Sequence, residues 1–216
     1  GGIATRTVQP RAVADLQDRY ELAGGELVHD RGHHGLDVGR HAGQVRRVHQ
    51  HVAAADINPR VLETFRQRYG AKTYDSVEKM CADPDVEAVW VSTPNRFHAP
   101  HTIIAANSGK HVVVEKPMAI SLQEAEQMIE ASIKNKIKLL CGHTQSFGPH
   151  IRTMRKIIRS GELGRLCALH VWAYTDWMLR PRTAEELDIN QGGGVPYRQG
   201  PHQIDTLRLL GGGLVR

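Results

Sequence analysis

Residues 87–118 read EAVWVSTPNRFHAPHTIIAANSGKHVVVEKPM, and the reading of this stretch decides the fold. It holds two short apolar runs, Ala88-Val89-Trp90-Val91 and His111-Val112-Val113-Val114. Both are rich in β-branched residues and too short for helices, which reads as two buried parallel strands. Between them, Pro100 suits the first position of a helix. Ile103, Ile104 and Ala106 supply its apolar face, and Gly109 closes it in a left-handed conformation. The unit is β-α-β, with a right-handed crossover. Open sheets of this kind gather ligands at the carboxyl ends of their strands. Thr93-Pro94-Asn95-Arg96-Phe97-His98 and Glu115-Lys116-Pro117 therefore come to lie side by side over one crevice.

Working outward, the pattern stays orderly from Val52 onward. Residues 52–55 (VAAA) form a short strand ending at Asp56, and Pro59 starts a helix with Val61, Leu62 and Phe65 on one face. Asp56 stands where such folds hydrogen-bond ribose hydroxyls, and equally where an aspartate caps a helix. Ser76 caps a short helix through Met80. Ser121 and Glu124 make a capping box, with Ala125, Met128, Ile129 and Ile133 following at helical spacing. Residues 137–141 read as a strand, residues 149–159 as a helix ending at Gly161, and residues 166–174 as a further strand.

Residues 1–51 are different. They hold seven arginines, six histidines and eight glycines but no lysine. They read with neither the apolar strand nor the G-x-G-x-x-G turn that opens a dinucleotide-binding fold. A disordered leader and a shifted reading frame that replaces the first β-α unit both account for this. The His29, His33, His34, His41 group lacks ligand spacing and partner carboxylates, so no metal site is expected.

Composition narrows the function classes. The chain has 216 residues, 40% hydrophobic and 24% charged, with a formal net charge of +5, enough for one full domain and part of another. The arginines are scattered, aromatics make up only 5%, and no basic helix or lysine run stands out. Nucleic acid is therefore not the expected partner, and the surplus charge suits small anionic molecules. Cys81, Cys141 and Cys167 lie far apart, as reduced thiols of a cytoplasmic protein do. No apolar run reaches membrane-spanning length.

A T-P-N-x-x-H loop followed one β-α unit later by E-K-P resembles the glucose-fructose oxidoreductase / inositol dehydrogenase (Gfo/Idh/MocA) family of nicotinamide-dependent enzymes. The resemblance runs over residues 52–213. It implies an α/β fold: a Rossmann-like doubly wound parallel sheet, its first β-α unit atypical or missing, followed by the start of a truncated α+β second domain. The expected boundaries are 1–51 for the atypical leader or frame-shifted segment, 52–148 for the nucleotide-binding domain, and 149–216 for an incomplete C-terminal substrate domain. The resemblance implies NAD as cofactor, in preference to NADP, held by Asp56, Thr93, Pro94, Asn95, His98, Glu115 and Lys116. It implies a homo-oligomer when full length.

Two clusters carry the chemistry. Lys116 follows a buried strand and precedes Pro117, so partial desolvation would lower its pKa toward the range of proton transfer. Residues 192–205 read GGGVPYRQGPHQID and resemble the family's glycine-rich turn followed by D-x-G-x-H-x-x-D. By that resemblance His202 is the catalytic histidine, and Tyr197 and Asp205 line the substrate pocket. Family members carry an asparagine and an arginine in the loop where Thr144 and Ser146 stand. Arg198 replaces the motif's first aspartate. A neutral sugar needs acceptors, and arginine supplies only donors suited to carboxylate or phosphate. Arg180 and Arg182 lie in WMLRPR (residues 177–182). Three arginines from adjacent segments suggest an anionic substrate, and the pattern looks like the family's branch that dehydrogenates phthalate cis-dihydrodiols to dihydroxyphthalates. The expected activity is NAD-dependent oxidation of a carboxylated cis-dihydrodiol to the catechol. Sugar or inositol oxidation by the same chemistry is one alternative, and an inactive or ligand-binding remnant is another.

Overall fold

The structure, a computed structural model, describes residues 3–5, 53–175, 179 and 181–213. The His29, His33, His34, His41 group and Arg180 lie outside the described residues. In chain order the first elements are β1 (Ile3–Thr5), β2 (Ala53–Ala55), α1 (Pro59–Tyr69), β3 (Lys72–Tyr74) and α2 (Val77–Cys81). The central unit follows as β4 (Ala88–Val91), α3 (His98–Asn107) and β5 (His111–Val114). Then come α4 (Leu122–Lys134), β6 (Leu139–Cys141) and α5 (Pro149–Ser160).

The strands form one six-stranded sheet in the order β3-β2-β1-β4-β5-β6. This is the doubly wound dinucleotide-binding order, and its reversal point lies beside β1 and β4. β2 and β3, β4 and β5, and β5 and β6 pair in parallel. β1 does not: it runs antiparallel to both β2 and β4, with Ile3 opposite Ala55 and Ala4 opposite Trp90. Two sequence expectations change here. A strand does exist within residues 1–51, and the sheet is mixed at its centre rather than parallel throughout. Three residues of Ile-Ala-Thr are too few to show a periodic signal, but the gap between β2 and β4 offers them backbone partners on both sides.

The local readings come out close to the structure. Ser76, Asn58 and Ser121 each cap a helix by accepting a backbone N–H, and α1 and α5 each begin with a proline. Asn58, not Asp56, caps α1. Glu124 completes its box one residue upstream of the expected place, accepting from the amide of Ile120 at 3.0 Å. α3 starts at His98, two residues before Pro100, because a 3-10 turn at Asn95–Phe97 feeds into it. Gly109 takes φ 72° at its end, as expected.

Burial is one-sided. Val89, Val91, Val112 and Val114 pack with Met80, Ala99, Ala105 and Met128 of the helices in one buried cluster. The alternate residues Trp90 and Val113 are only half-buried. Four buried valines contribute about 1.5–3 kcal/mol each, so this cluster dominates the described core. α1 buries none of its residues, and Val61 is 45% exposed. Its apolar side lines a shallow groove of about 410 Å³ with Phe65 and Tyr69, away from the loops that end β4 to β6. α5 carries Arg152, Arg155, Lys156 and Arg159 with no acidic residue, so the chain does contain a basic helix.

Residues 166–174 form no strand, against expectation. A strand needs a ladder partner, and no described strand lies beside this segment. The glycine-rich cluster is more helical than its sequence suggests. α6 (Ala184–Leu187), α7 (Gly194–Arg198) and α8 (Gly200–Gly211) build it, joined by a 3-10 turn at Ile189–Gln191. Among the described residues no helix is long and apolar enough to cross a membrane.

Candidate functional site

The carboxyl ends of β4, β5 and β6 deliver three loops to one end of the sheet, and the α6–α8 segment covers them. Gly192 is what lets it come close. Its φ is 73°, and a Cβ there would stand 2.5 Å from Ile120 Cγ2. The Asn95 amide donates to the Gly192 carbonyl at 2.7 Å, tying the T-P-N loop to the glycine turn. Lys116 Nζ donates to the Arg198 carbonyl at 2.8 Å, tying the E-K-P loop to α7. The two sequence clusters thus form one site.

Its titratable groups include Lys116, His202 and, unanticipated, His143. Burial pushes the Lys116 ammonium below the ordinary lysine range; Glu115 opposes this and Arg198 adds to it. His202 lies on α8, not in a loop. Burial lowers its pKa first, the Lys116 and His143 charges lower it further, and Asp205 pulls the other way. His143, at the end of β6, is lowered mainly by burial, with Asp205 opposing. The Nδ1 atoms of His143 and His202 are both buried without a hydrogen-bond partner. Buried polar atoms almost always have a partner, so these two nitrogens are exceptions. The position of His143 directly after a strand's carboxyl end was a usable signal for it.

Other expected contacts are taken up by the protein itself. His98 is buried, with Nδ1 2.7 Å from the Pro117 carbonyl and Nε2 2.8 Å from the Thr93 carbonyl. It braces the two loops, which lie across the cis Lys116–Pro117 bond. Asp205 is buried between Ser146 Oγ, which donates to it, and Arg208 Nη2 at 3.0 Å. Its carboxylate holds the β6 loop against α8, and Ser146 gains a role as its donor. The Tyr197 hydroxyl donates to the Ile120 carbonyl at 3.2 Å. Glu115 accepts from the Trp90 indole at 3.2 Å, and Thr93 Oγ1 sits 3.2 Å from His101. Pro94 precedes the 3-10 turn.

Arg182 and Arg198 do converge. Arg198 Nη2 is 3.2 Å and Arg182 Nη1 is 3.5 Å from the same atom, Glu186 Oε1. Glu186 was missed, although Thr183-Ala-Glu-Glu186 carries a legible capping box, and that box forms.

For a dinucleotide, the fit is divided. Asp56 ends β2 with Oδ1 bound to the Asn58 amide at 2.7 Å, a place that suits a ribose. The β4 and β5 loops suit the other end. β1 runs antiparallel to its neighbours and so ends at the sheet edge opposite the crevice.

Known proteins are similar over this region. The model of an oxidoreductase family with an NAD-binding Rossmann fold, Gfo/Idh/MocA, matches residues 32–143, and the family's C-terminal domain model matches residues 151–216. The chain is 44% identical over 171 residues to 1-carboxy-3-chloro-3,4-dihydroxycyclohexa-1,5-diene dehydrogenase of Comamonas testosteroni, covering 79% of this chain and 43% of that one. It is 37% identical over 141 residues to 1,5-anhydro-D-fructose reductase of Ensifer adhaerens, covering 64% and 42%. A crystal structure from Bordetella bronchiseptica RB50, described as that of a dehydrogenase, superposes with TM-score 0.71 at 40% identity, covering 74% of this chain and 42% of that one. The chain thus spans less than half the length of these relatives. A family model that matches more than half of the chain, on top of the strand order and the joined T-P-N and E-K-P loops, leads to one conclusion: this chain belongs to the Gfo/Idh/MocA family of oxidoreductases.

Proposed function

We propose that the protein is an NAD-dependent dehydrogenase that oxidises a carboxylated cis-dihydrodiol, of the phthalate type, to the catechol. The observation that carries this is the bond from Lys116 Nζ to the Arg198 backbone carbonyl, with the Arg198 charge close enough to lower the Lys116 pKa and the Lys116 charge close enough to lower that of His202. The Comamonas relative is named for a carboxylated cyclohexadiene diol, which supports the same substrate class. Bound NAD supplies the hydride acceptor. His202, whose pKa is lowered by its surroundings, takes the carbinol proton. Lys116 donates to the carbinol oxygen and fixes its orientation. The carbon loses a hydride and the oxygen a proton, and the resulting ketone tautomerises to the aromatic catechol. Arg198 and Arg182 hold the substrate's carboxylate. The residues that suit NAD are Asp56, Thr93, Pro94, Asn95 and Glu115, with NAD favoured over NADP because Asp56 repels a 2′-phosphate.

Sugar oxidation is the second reading, favoured by the anhydrofructose reductase relative. Arg198 argues against it, since a polyol offers no anion to grip. A full-length hybrid decides between them, in which residues 53–213 replace the matching segment of the Comamonas relative. Lys116→Ala and His202→Ala should each lower kcat about 10²-fold. Arg198→Ala should cost about ten- to a hundredfold in kcat/KM on phthalate diols and much less on an uncarboxylated cis-dihydrodiol. Equal losses on both diols, or turnover of inositol or glucose instead, would overturn the proposal.

A further inference from the structure

Glu186 stands where the carboxylate clamp places its ligand. Its Oε2 accepts from the Thr183 amide at 3.0 Å, so the capping box pins the carboxylate to its own backbone. Its Oε1 receives both guanidiniums, at 3.2 and 3.5 Å. These are long for charge-assisted hydrogen bonds, which close to about 2.7–2.9 Å. The Arg182 side chain is only 6% exposed and that of Glu186 only 14%, so the group sits largely out of water, where such charges interact strongly.

We propose that Glu186 is a resident carboxylate that parks Arg182 and Arg198 and sets the threshold for anionic substrates. The inference rests on the clamp reading above and names a residue that tunes it. An incoming carboxylate draws the guanidiniums from a fixed, distant oxygen into two short bonds. The pinned Glu186 cannot follow, and its charge repels the newcomer. A singly charged or weakly placed anion gains too little to displace the resting contact. A carboxylate held on a rigid ring beside the diol gains enough. Glu186 thus serves selectivity at the expense of affinity, as repulsive elements in specific sites do.

The test needs no turnover and uses this chain as it stands. Phthalate is titrated by calorimetry into the parent and into Glu186→Gln, Glu185→Gln and Arg198→Ala. Glutamine keeps the capping-box acceptor, and an unchanged thermal midpoint verifies the fold. Glu185→Gln makes the same change of net charge next door, where the carboxylate pairs with Arg96 at 3.5 Å. Glu186→Gln should tighten phthalate binding about two- to fivefold, the size of one relinquished ion pair. Glu185→Gln should leave it unchanged, Arg198→Ala should weaken it, and uncharged 1,2-benzenedimethanol should respond to none of them. Unchanged or weaker binding by Glu186→Gln, with Arg198→Ala still losing affinity, overturns the inference and leaves the clamp standing. Equal gains in both glutamine variants also overturn it, since general charge would then explain the effect. Phthalate binding that ignores Arg198→Ala, or no phthalate binding in any variant, overturns the clamp and the inference together.

Discussion

Burial of histidine has a measurable cost at acid pH. His101, His111, His143 and His202 are all held below the ordinary histidine value of 6.5, in each case chiefly by burial. In the unfolded chain they take up protons near that value, whereas in the folded chain they take them up only at lower pH. Between the two the unfolded state binds more protons, so stability rises with pH through this window. The stabilisation is complete above 6.5 and is lost as pH falls toward the folded values. Asp83, held at about 2 by Tyr74 and Lys72, titrates well below this range. The thermal midpoint should therefore fall as pH drops from 7 toward 5, and a His143→Gln, His202→Gln double variant should flatten that fall. A midpoint that stays level from pH 7 to 5 would contradict the burial of these rings. At this scale the sequence identified Lys116, His202 and Arg198 by type and motif. It did not identify Glu186 or His143, whose importance comes only from what they face.

Among the elements, the covering segment was the hardest to read. Residues 192–205 suggest a loop through their glycines, yet α7 and α8 form there, and His202 and Asp205 lie one helical turn apart. The glycines serve close packing. A Cβ on Gly193 would stand 2.7 Å from each of the Glu185, Glu186 and Asp188 carbonyl oxygens. These are backbone atoms, so the turn must move rather than a side chain yield. Gly193→Ala should destabilise by about 1–3 kcal/mol, as overpacking does. It should also part the Arg182, Arg198 and Glu186 group, because α6 carries Glu186. Urea unfolding measures the first effect, and a loss below about 0.5 kcal/mol, the range of neutral surface changes, would show that the turn relaxes freely. By contrast α4 and α5 were legible almost to the residue. Caps, an N-terminal proline and apolar spacing are all near-neighbour properties.

At the scale of the whole molecule, the direction of β1 matters most for function. A parallel first strand would end at the crevice and hand its next turn to the pyrophosphate. An antiparallel one ends at the far edge, away from the crevice where backbone amides at a helix N-terminus would meet the phosphates. This chain should accordingly bind NAD with a Kd no tighter than about 1 mM, the scale of a ligand held by one end. The hybrid that borrows the relative's first unit should bind far more tightly. Micromolar binding to this chain by calorimetry would contradict the account. The sequence by itself determined the local units: β4, α3 and β5, the capped helices, and the residues bearing chemistry at the strand ends. Each depends on neighbours a few positions away. Only the tertiary structure decided the slot and direction of β1, the non-strand course of residues 166–174, and the contact of Arg182 and Arg198 with Glu186. Those outcomes hang on contacts between distant parts of the chain, such as Lys116 to Arg198 across 82 positions and Asn95 to Gly192 across 97. No local pattern encodes which remote backbone a polar atom will meet, because that choice is made only when the sheet and its cover close over one another.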